Sequence, residues 1–219
     1  MASRPKQATP RPAPRLYLIT PPVTDASAFS IQLASAMDAG DVAAVLLRLA
    51  DADERTLINH AKNIAASVQK KGAALLLDGL AGLVARAGAD GAHMTGIEAF
   101  TEALAQLKPE RIAGAGGLTT RHDAMLAAER DADYVMFGEP DAAGERPAFA
   151  AIEERIAWWA EVFESPCVGY AASLDEITPL VAAGADFIAP GNFLWRDPHA
   201  ITATMDEVSR LLRLPEPAA

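Results

Sequence analysis

The sequence predicts a single α/β domain of the (β/α)8 barrel class, and three observations predict it. Four segments repeat one pattern, in which a helix ends, an Asp follows and an apolar strand begins: Ala39-Gly40-Asp41, Ala87-Gly88-Ala89-Asp90, Arg130-Asp131-Ala132-Asp133 and Ala183-Gly184-Ala185-Asp186. Glycine just past a helix takes the left-handed backbone that ends it cheaply, and a short apolar run after it reads as a strand buried in a parallel sheet. Strand and helix patterns alternate eight times without a linker. The 219 residues suit one such barrel at the small end of its size range. An open doubly wound sheet is the alternative; the count of eight favours closure.

The elements follow in order. Leu16–Ile19 is the first strand, and Asp25 caps a helix over Ala26–Ala39. Val42–Leu49 is the second strand, followed by a long amphipathic helix over Asp53–Lys71. Ala73–Leu77 leads to a short helix over Leu80–Ala87, and Gly91–Met94 to a helix over Ile97–Leu107. Pro109 separates that helix from the fifth strand, Arg111–Ala115. Arg121–Arg130 is helical, and Tyr134–Phe137 is the sixth strand. Asp141–Arg146 is a polar loop, and Pro147 suits the first position of a helix running to Phe163. Cys167–Tyr170 precedes a helix over Leu174–Ala183, capped by Ser173 and kinked by Pro179. Phe187–Pro190 is the last strand, and His199–Leu212 closes the chain. Residues 15–213 thus form the barrel. Residues 1–14, Pro-rich and basic, read as a disordered tail, and 214–219 as a short C-terminal tail.

Composition excludes some function classes. A formal charge of −10 repels nucleic acid and anionic membranes. No apolar run approaches the ~18 residues of a membrane span, and the basic N-terminus lacks the apolar stretch of a secretory signal. The one cysteine, Cys167, stands in an apolar run with no adjacent base and reads as buried and inert. These features fit a cytoplasmic protein that binds a small molecule, with a homodimer as an option.

In a barrel, chemistry sits at the strand C-termini and the loops that follow. Asp78 and Glu98 stand after neighbouring strands, where two carboxylates can share Mg²⁺; the other reading is first-turn residues favoured by the helix dipole. Arg48 is the one cation at a strand end, to be paired with Asp78 or to contact a phosphate. His93 is a core histidine or a catalyst. Gly116 belongs to a glycine-rich turn. The ends of the last two strands, Gly169, Ala171, Ala172, Gly191 and Asn192, stand where this fold cradles phosphate.

In this order the residues resemble the thiamine phosphate synthase/TenI family over nearly the whole barrel. Leu16-Tyr17-Leu18-Ile19-Thr20 is similar to the family's LYLVTD, Ala87–Met94 to AxGADGVHLGQ, and Asp131–Gly138 to GADYVGFGP. The family's VQLREK falls on Val45-Leu46-Leu47-Arg48-Leu49-Ala50, so Arg48 survives while the pyrimidine-binding Gln becomes Leu46 and the diphosphate-binding Lys becomes Ala50. The Mg²⁺-binding Asp falls on Asp78 and the second metal Asp on Glu98; the Asn before the first is lost. The Ser after the fifth strand falls on Gly116. The phosphate-binding TxTK and GIGGI fall on Asp141–Arg146 and Gly169–Ser173. The His of TenI-type aminothiazole tautomerases falls on Leu118, with His122 a turn further on.

The resemblance implies a barrel linked to thiamine metabolism, with Arg48 and Asp78 as catalytic residues and a thiamine precursor as ligand. Losing one charge-stabilising donor costs ~10²–10³ in rate, and several are missing together. The expectation is therefore a divergent member without standard synthase activity. Leu46, Leu49, Leu77 and Ala50 are expected to line a pocket that prefers a neutral or singly charged ligand to a diphosphate. An active Mg²⁺-dependent synthase joining hydroxymethylpyrimidine diphosphate to thiazole phosphate is the alternative, and an aminothiazole tautomerase the second.

Overall fold

The computed structural model describes residues 12–213. Most of the N-terminal tail, 1–11, and the C-terminal tail, 214–219, lie outside the described residues. The strands are β1 (Arg15–Ile19), β2 (Val42–Leu47), β3 (Ala74–Asp78), β4 (Gly91–Thr95), β5 (Ile112–Gly116), β6 (Tyr134–Phe137), β7 (Cys167–Ala171) and β8 (Phe187–Pro190). The helices are α1 (Ala26–Asp38), α2 (Glu54–Lys70), α3 (Val84–Ala87), α4 (Ile97–Leu107), α5 (Arg121–Glu129), α6 (Phe149–Val162), α7 (Ile177–Ala183) and α8 (Ile201–Leu211). All strand pairs are parallel, and β8 pairs with β1 through Phe187 against Arg15 and Ile188 against Leu16, closing the barrel.

Side chains alternate across each strand. Tyr17, Ile19, Leu46, Leu76, Tyr134, Met136, Val168, Tyr170 and Ala189 fill the lumen. Their neighbours Leu16, Leu18, Val45, Leu47, Leu75, Leu77, Val135 and Phe137 pack outward against the helices.

The recurrent Asp has a structural task. Asp90 accepts from the backbone N–H of Leu75 at 2.7 Å, Asp133 from Ala113 at 2.7 Å, and Asp186 from Cys167 at 2.8 Å. Each carboxylate thus satisfies an N–H of the preceding strand from the start of the next. Asp41 instead pairs with the Arg15 guanidinium at 2.8 Å.

Several local expectations are corrected. Gly88 and Gly184 take the left-handed backbone, but Gly40 does not. It is small because a Cβ there would strike Leu16 and Met205 side chains. At the third junction Asp131 itself takes φ 60°. Ser173 is extended but makes no side-chain cap, and Leu174–Glu176 is a 3-10 turn before α7. Pro179 then falls in the first turn of α7, where its missing N–H leaves no helical bond unmade, so no mid-helix kink arises. Pro147 lies two residues before α6 rather than starting it. Leu80–Ala87 is a 3-10 turn over Ala81–Leu83 running into α3. The 3-10 turn Asn192–Trp195 after β8 was not anticipated.

Candidate functional site

A cleft of about 950 Å³ opens at the C-terminal ends of the strands. Its floor holds Asp78, His93 and Met136; its largest wall is the loop from Gly138 to Pro147 with the first turns of α6. Arg48, Asp78, His93 and Asn192 line it, as do Glu139, Asp141 and Glu145.

Arg48 follows β2 directly. The hydroxyl of fully buried Thr20 accepts from its backbone N–H at 2.9 Å, and the Val23 N–H donates to its carbonyl at 2.9 Å. With the backbone so held, Arg48 Nε donates to Asp78 Oδ2 at 2.9 Å; both side chains are about a quarter exposed (28% and 26%). The expected pairing is therefore present.

Register explains His93. Asp78 pairs with His93 and His93 with Gly114 across β3, β4 and β5, and Gly114 with Tyr134 of β6. A Cβ on Gly114 would collide with the Tyr134 ring, so the glycine lets that ring lie over it and stack on His93, centroids 5.7 Å apart. Tyr134 Oη bonds His93 Nδ1 at 2.9 Å and Tyr17 Oη at 2.6 Å, forming a buried polar chain across the lumen. Burial drives the His93 pKa down to about 4, opposed by the Asp78 charge. Burial likewise holds both tyrosines well above the ordinary phenol value.

Glu139 stands just beyond β6 and accepts from the Gly117 backbone N–H. Enclosure by the cleft walls raises its pKa to about 7, partly offset by that bond and by the Arg48 charge. Gly116 lies between it and His93: a Cβ there would strike both the Glu139 carboxylate and the His93 ring.

Arg48 is not the one cation at the mouth. Arg146 ends the wall loop, donates to the Gly138 carbonyl at 3.0 Å, and pairs with Glu176 at 2.9 and 3.0 Å. Arg155 of α6 also lines the cleft. It donates to the carbonyls of Leu118 and Thr119, neutral partners that leave its charge uncancelled. The sequence held a signal for Arg155: it falls on the same face of α6 as buried Ile152, Ile156 and Trp159, where a cation must point to a partner or a cavity. Tyr17 and Tyr134 carried a signal too, sharing the inward parity of their strands.

The apolar lining expected from Leu46, Leu49, Leu77 and Ala50 is corrected, because none of them lines the cleft. Leu46 is buried in the lumen and Leu77 in the layer between sheet and helices. Glu98 is solvent-exposed in the first turn of α4. Gly169, Ala171, Ala172 and Gly191 are outside the cleft lining. Gly169 faces Ile156, Leu180 and Ala185, the Ala172 N–H donates to Glu176 at 2.7 Å and the Gly191 N–H to the Ala171 carbonyl at 2.8 Å. His122 is exposed on α5, away from the cleft lining, and Leu118 is buried. Among the described residues no three His, Cys, Asp or Glu side chains gather as a metal cage, and no helix is long and apolar enough to cross a membrane.

Comparison with known proteins adds three findings. The family model described as thiamine monophosphate synthase matches residues 16–192. A thiamine-phosphate synthase of Rhodospirillum centenum is 39% identical over 202 residues, 91% of this chain and 98% of that protein, and one of Hyphomonas neptunium is 38% identical over 197 residues, 86% and 89%. Among solved structures, thiamine phosphate pyrophosphorylase from Pyrococcus furiosus superposes with a TM-score of 0.74 at 18% identity, covering 90% of this chain and 95% of that one, which shows the shared barrel.

Proposed function

Because the chain belongs to the thiamine monophosphate synthase family, we propose that it is a working thiamine-phosphate synthase, joining hydroxymethylpyrimidine diphosphate to thiazole phosphate with release of diphosphate. The expectation of a member that has lost the standard chemistry is overturned. The relatives matched at 29% to 39% identity, over most of the chain, are all thiamine-phosphate synthases. Cations that reach the cleft from the end of the wall loop and from α6, Arg146 and Arg155, supply charge that the lost motif residues do not.

The observation that carries this reading is the set of three guanidiniums, Arg48, Arg146 and Arg155, in one cleft with Asp78. Synthesis expels a diphosphate, and charge developing on it is stabilised by groups already in place. Arg48 and Asp78 are the catalytic residues of this proposal. Arg155 adds charge not spent on a carboxylate, and Arg146 holds the wall loop as well as bringing charge.

Mg²⁺ suits this donor set. Asp78 offers hard carboxylate oxygen in the cleft, and an ion that keeps several waters and takes phosphate oxygens needs only one or two protein carboxylates. Asp78 would hold it; Glu98, exposed in the first turn of α4 and outside the cleft lining, does not join it here. When bound, the ion supplies positive charge to the diphosphate. His93 belongs to the floor on which the pyrimidine rests, with Gly116 buried beside it. The thiazole phosphate is assigned to the mouth beside Asn192, the one of the last-strand candidates that lines the cleft, where this fold binds phosphate; Gly169, Ala171, Ala172 and Gly191 lie outside that lining.

The test is a discontinuous assay with both precursors and Mg²⁺, reading thiamine phosphate by its fluorescent oxidation product. Turnover that chelation abolishes and Mg²⁺ restores supports the proposal. Absence of product at high enzyme concentration overturns it.

A further inference from the structure

The floor of the cleft pairs an acceptor with a donor across Gly116. On one side stands the Glu139 carboxyl, which accepts from the Gly117 N–H in a residue that lines the cleft. Of the other carboxylates in the cleft, Glu145 is exposed on the wall loop and two are engaged. Asp78 is bonded to Arg48, and Asp141 accepts from the N–H groups of Ala143 and Glu145 within its own loop. On the other side stands the His93 ring. Any side chain at 116 would meet both groups, so Glu139 and His93 both pack against the bare Cα of Gly116 and stand side by side in the cleft lining.

Hydrogen-bond accounting fixes which nitrogen of His93 carries the proton. Tyr17 and Tyr134 are both buried, 2% and 6% exposed. If Nδ1 is unprotonated, Tyr17 donates to Tyr134 and Tyr134 donates to Nδ1, and both hydroxyl protons are used. If Nδ1 is protonated, it donates to Tyr134, Tyr134 donates to Tyr17, and the Tyr17 proton is left without a partner in this chain. A buried donor without an acceptor is costly, whereas an Nε2–H sits on the side of the ring towards Gly116 and Glu139, in a residue that lines the cleft; the chain therefore runs from Tyr17 through Tyr134 to His93, with the proton on Nε2. That N–H is the one nearer Gly116 and Glu139.

We infer that Glu139 and the His93 Nε2–H form a recognition pair for an amino-substituted heterocycle: Glu139 accepts from the exocyclic amine, and His93 donates to the adjacent ring nitrogen. Tyr17 and Tyr134 are positioning residues that act through the His93 tautomer. The inference rests on reading the cleft as the site of an aminopyrimidine diphosphate, and makes Glu139 the residue that selects it.

Two measurements test it. Calorimetry on the full chain compares hydroxymethylpyrimidine diphosphate with the same diphosphate lacking the ring amino group. Wild type should prefer the amino compound about 10- to 100-fold, the size of a hydrogen bond to a charged group. Glu139→Gln must turn an NH₂ either to the substrate amine or to the Gly117 N–H, and should lose that preference. Equal affinity in wild type, or a preference unchanged in E139Q, overturns the inference. Nitrogen NMR of His93 should report the Nε2–H tautomer in wild type and a mixture in Tyr134→Phe; an Nδ1–H ring in wild type overturns it. Discrimination without thiamine phosphate formation would leave this inference standing and remove the proposed activity. Turnover without discrimination would do the reverse.

Discussion

Arg48 Nε donates to Asp78 Oδ2 across 2.9 Å, tying the residue after β2 to the last residue of β3. The pair is partly exposed, so its own contribution to stability is small, about 1 kcal/mol or less. Its position matters more. Asp78→Asn should lower thiamine phosphate formation ~10²–10³-fold while shifting the melting temperature by only a few degrees. Steady-state rates over a Mg²⁺ titration, beside thermal melts, check this; a rate within threefold of wild type would remove Asp78 from the chemistry.

Arg146 ties the cleft wall to the turn after the neighbouring strand, β7. Its guanidinium spans the Gly138 carbonyl and the Glu176 carboxylate, with both side chains of the ion pair under one-fifth exposed. Arg146→Met strands Glu176 and releases the loop. The expected cost is about 2 kcal/mol, the size of a hydrogen bond to a charged group, or about 4–8 °C in melting temperature for a chain of this size. Glu176→Gln should cost less, because the amide oxygen still accepts. Protease sensitivity of the loop 139–147 should rise in R146M alone.

Two groups, half-buried Glu139 and buried His93, bend the pH dependence of stability in opposite directions. The Glu139 pKa is raised from 4.5 to about 7 by burial, among the charges of Arg48 and Asp78. The unfolded chain then holds fewer protons than the folded one over that window, and the stability Glu139 confers below pH 4.5 is lost as pH rises towards 7. The His93 pKa is lowered from 6.5 to about 4 by burial, beside Asp78 and Arg48. Its contribution is present above pH 6.5 and is lost as pH falls towards 4. Glu139→Gln should therefore gain stability over wild type at pH 8 and not at pH 4. Denaturant melts at four or five pH values decide it; a constant difference across them would contradict the assignment.

Gly116→Ala should be costly although it adds one methyl. The new Cβ meets the Glu139 carboxylate and the His93 ring, and overpacking of this kind costs about 1–3 kcal/mol. Combining it with Glu139→Ala removes one of the two collisions, so the double variant should be more stable than the sum of the single changes predicts. A double-mutant cycle by chemical denaturation measures that coupling; strict additivity would show that the two residues do not meet.

The sequence by itself determined the barrel. Tyr134–Phe137, Phe187–Pro190 and Ile97–Leu107 fall where their patterns place them, because turn chemistry and apolar periodicity are local and act within a few residues. The pairing of Arg48 with Asp78 was legible for a related reason: the two residues end adjacent parallel strands, so topology alone brings them together. The motifs also carried the family.

The content of the cleft was decided by the tertiary structure. Leu46 and Leu77 read as pocket lining because they stand at motif positions, yet strand parity turns one into the lumen and the other towards the helices. Arg155 reads as one charge among many on a helix, and only the packing of α6 against β6 and β7 aims it at the cleft. Glu139 reads as one more acid in an acidic loop, until the bare Cα of Gly116 leaves room for its carboxyl next to His93. Charge and polarity at a site are sums over side chains distant in sequence, and a motif compared position by position omits every group that arrives from another element.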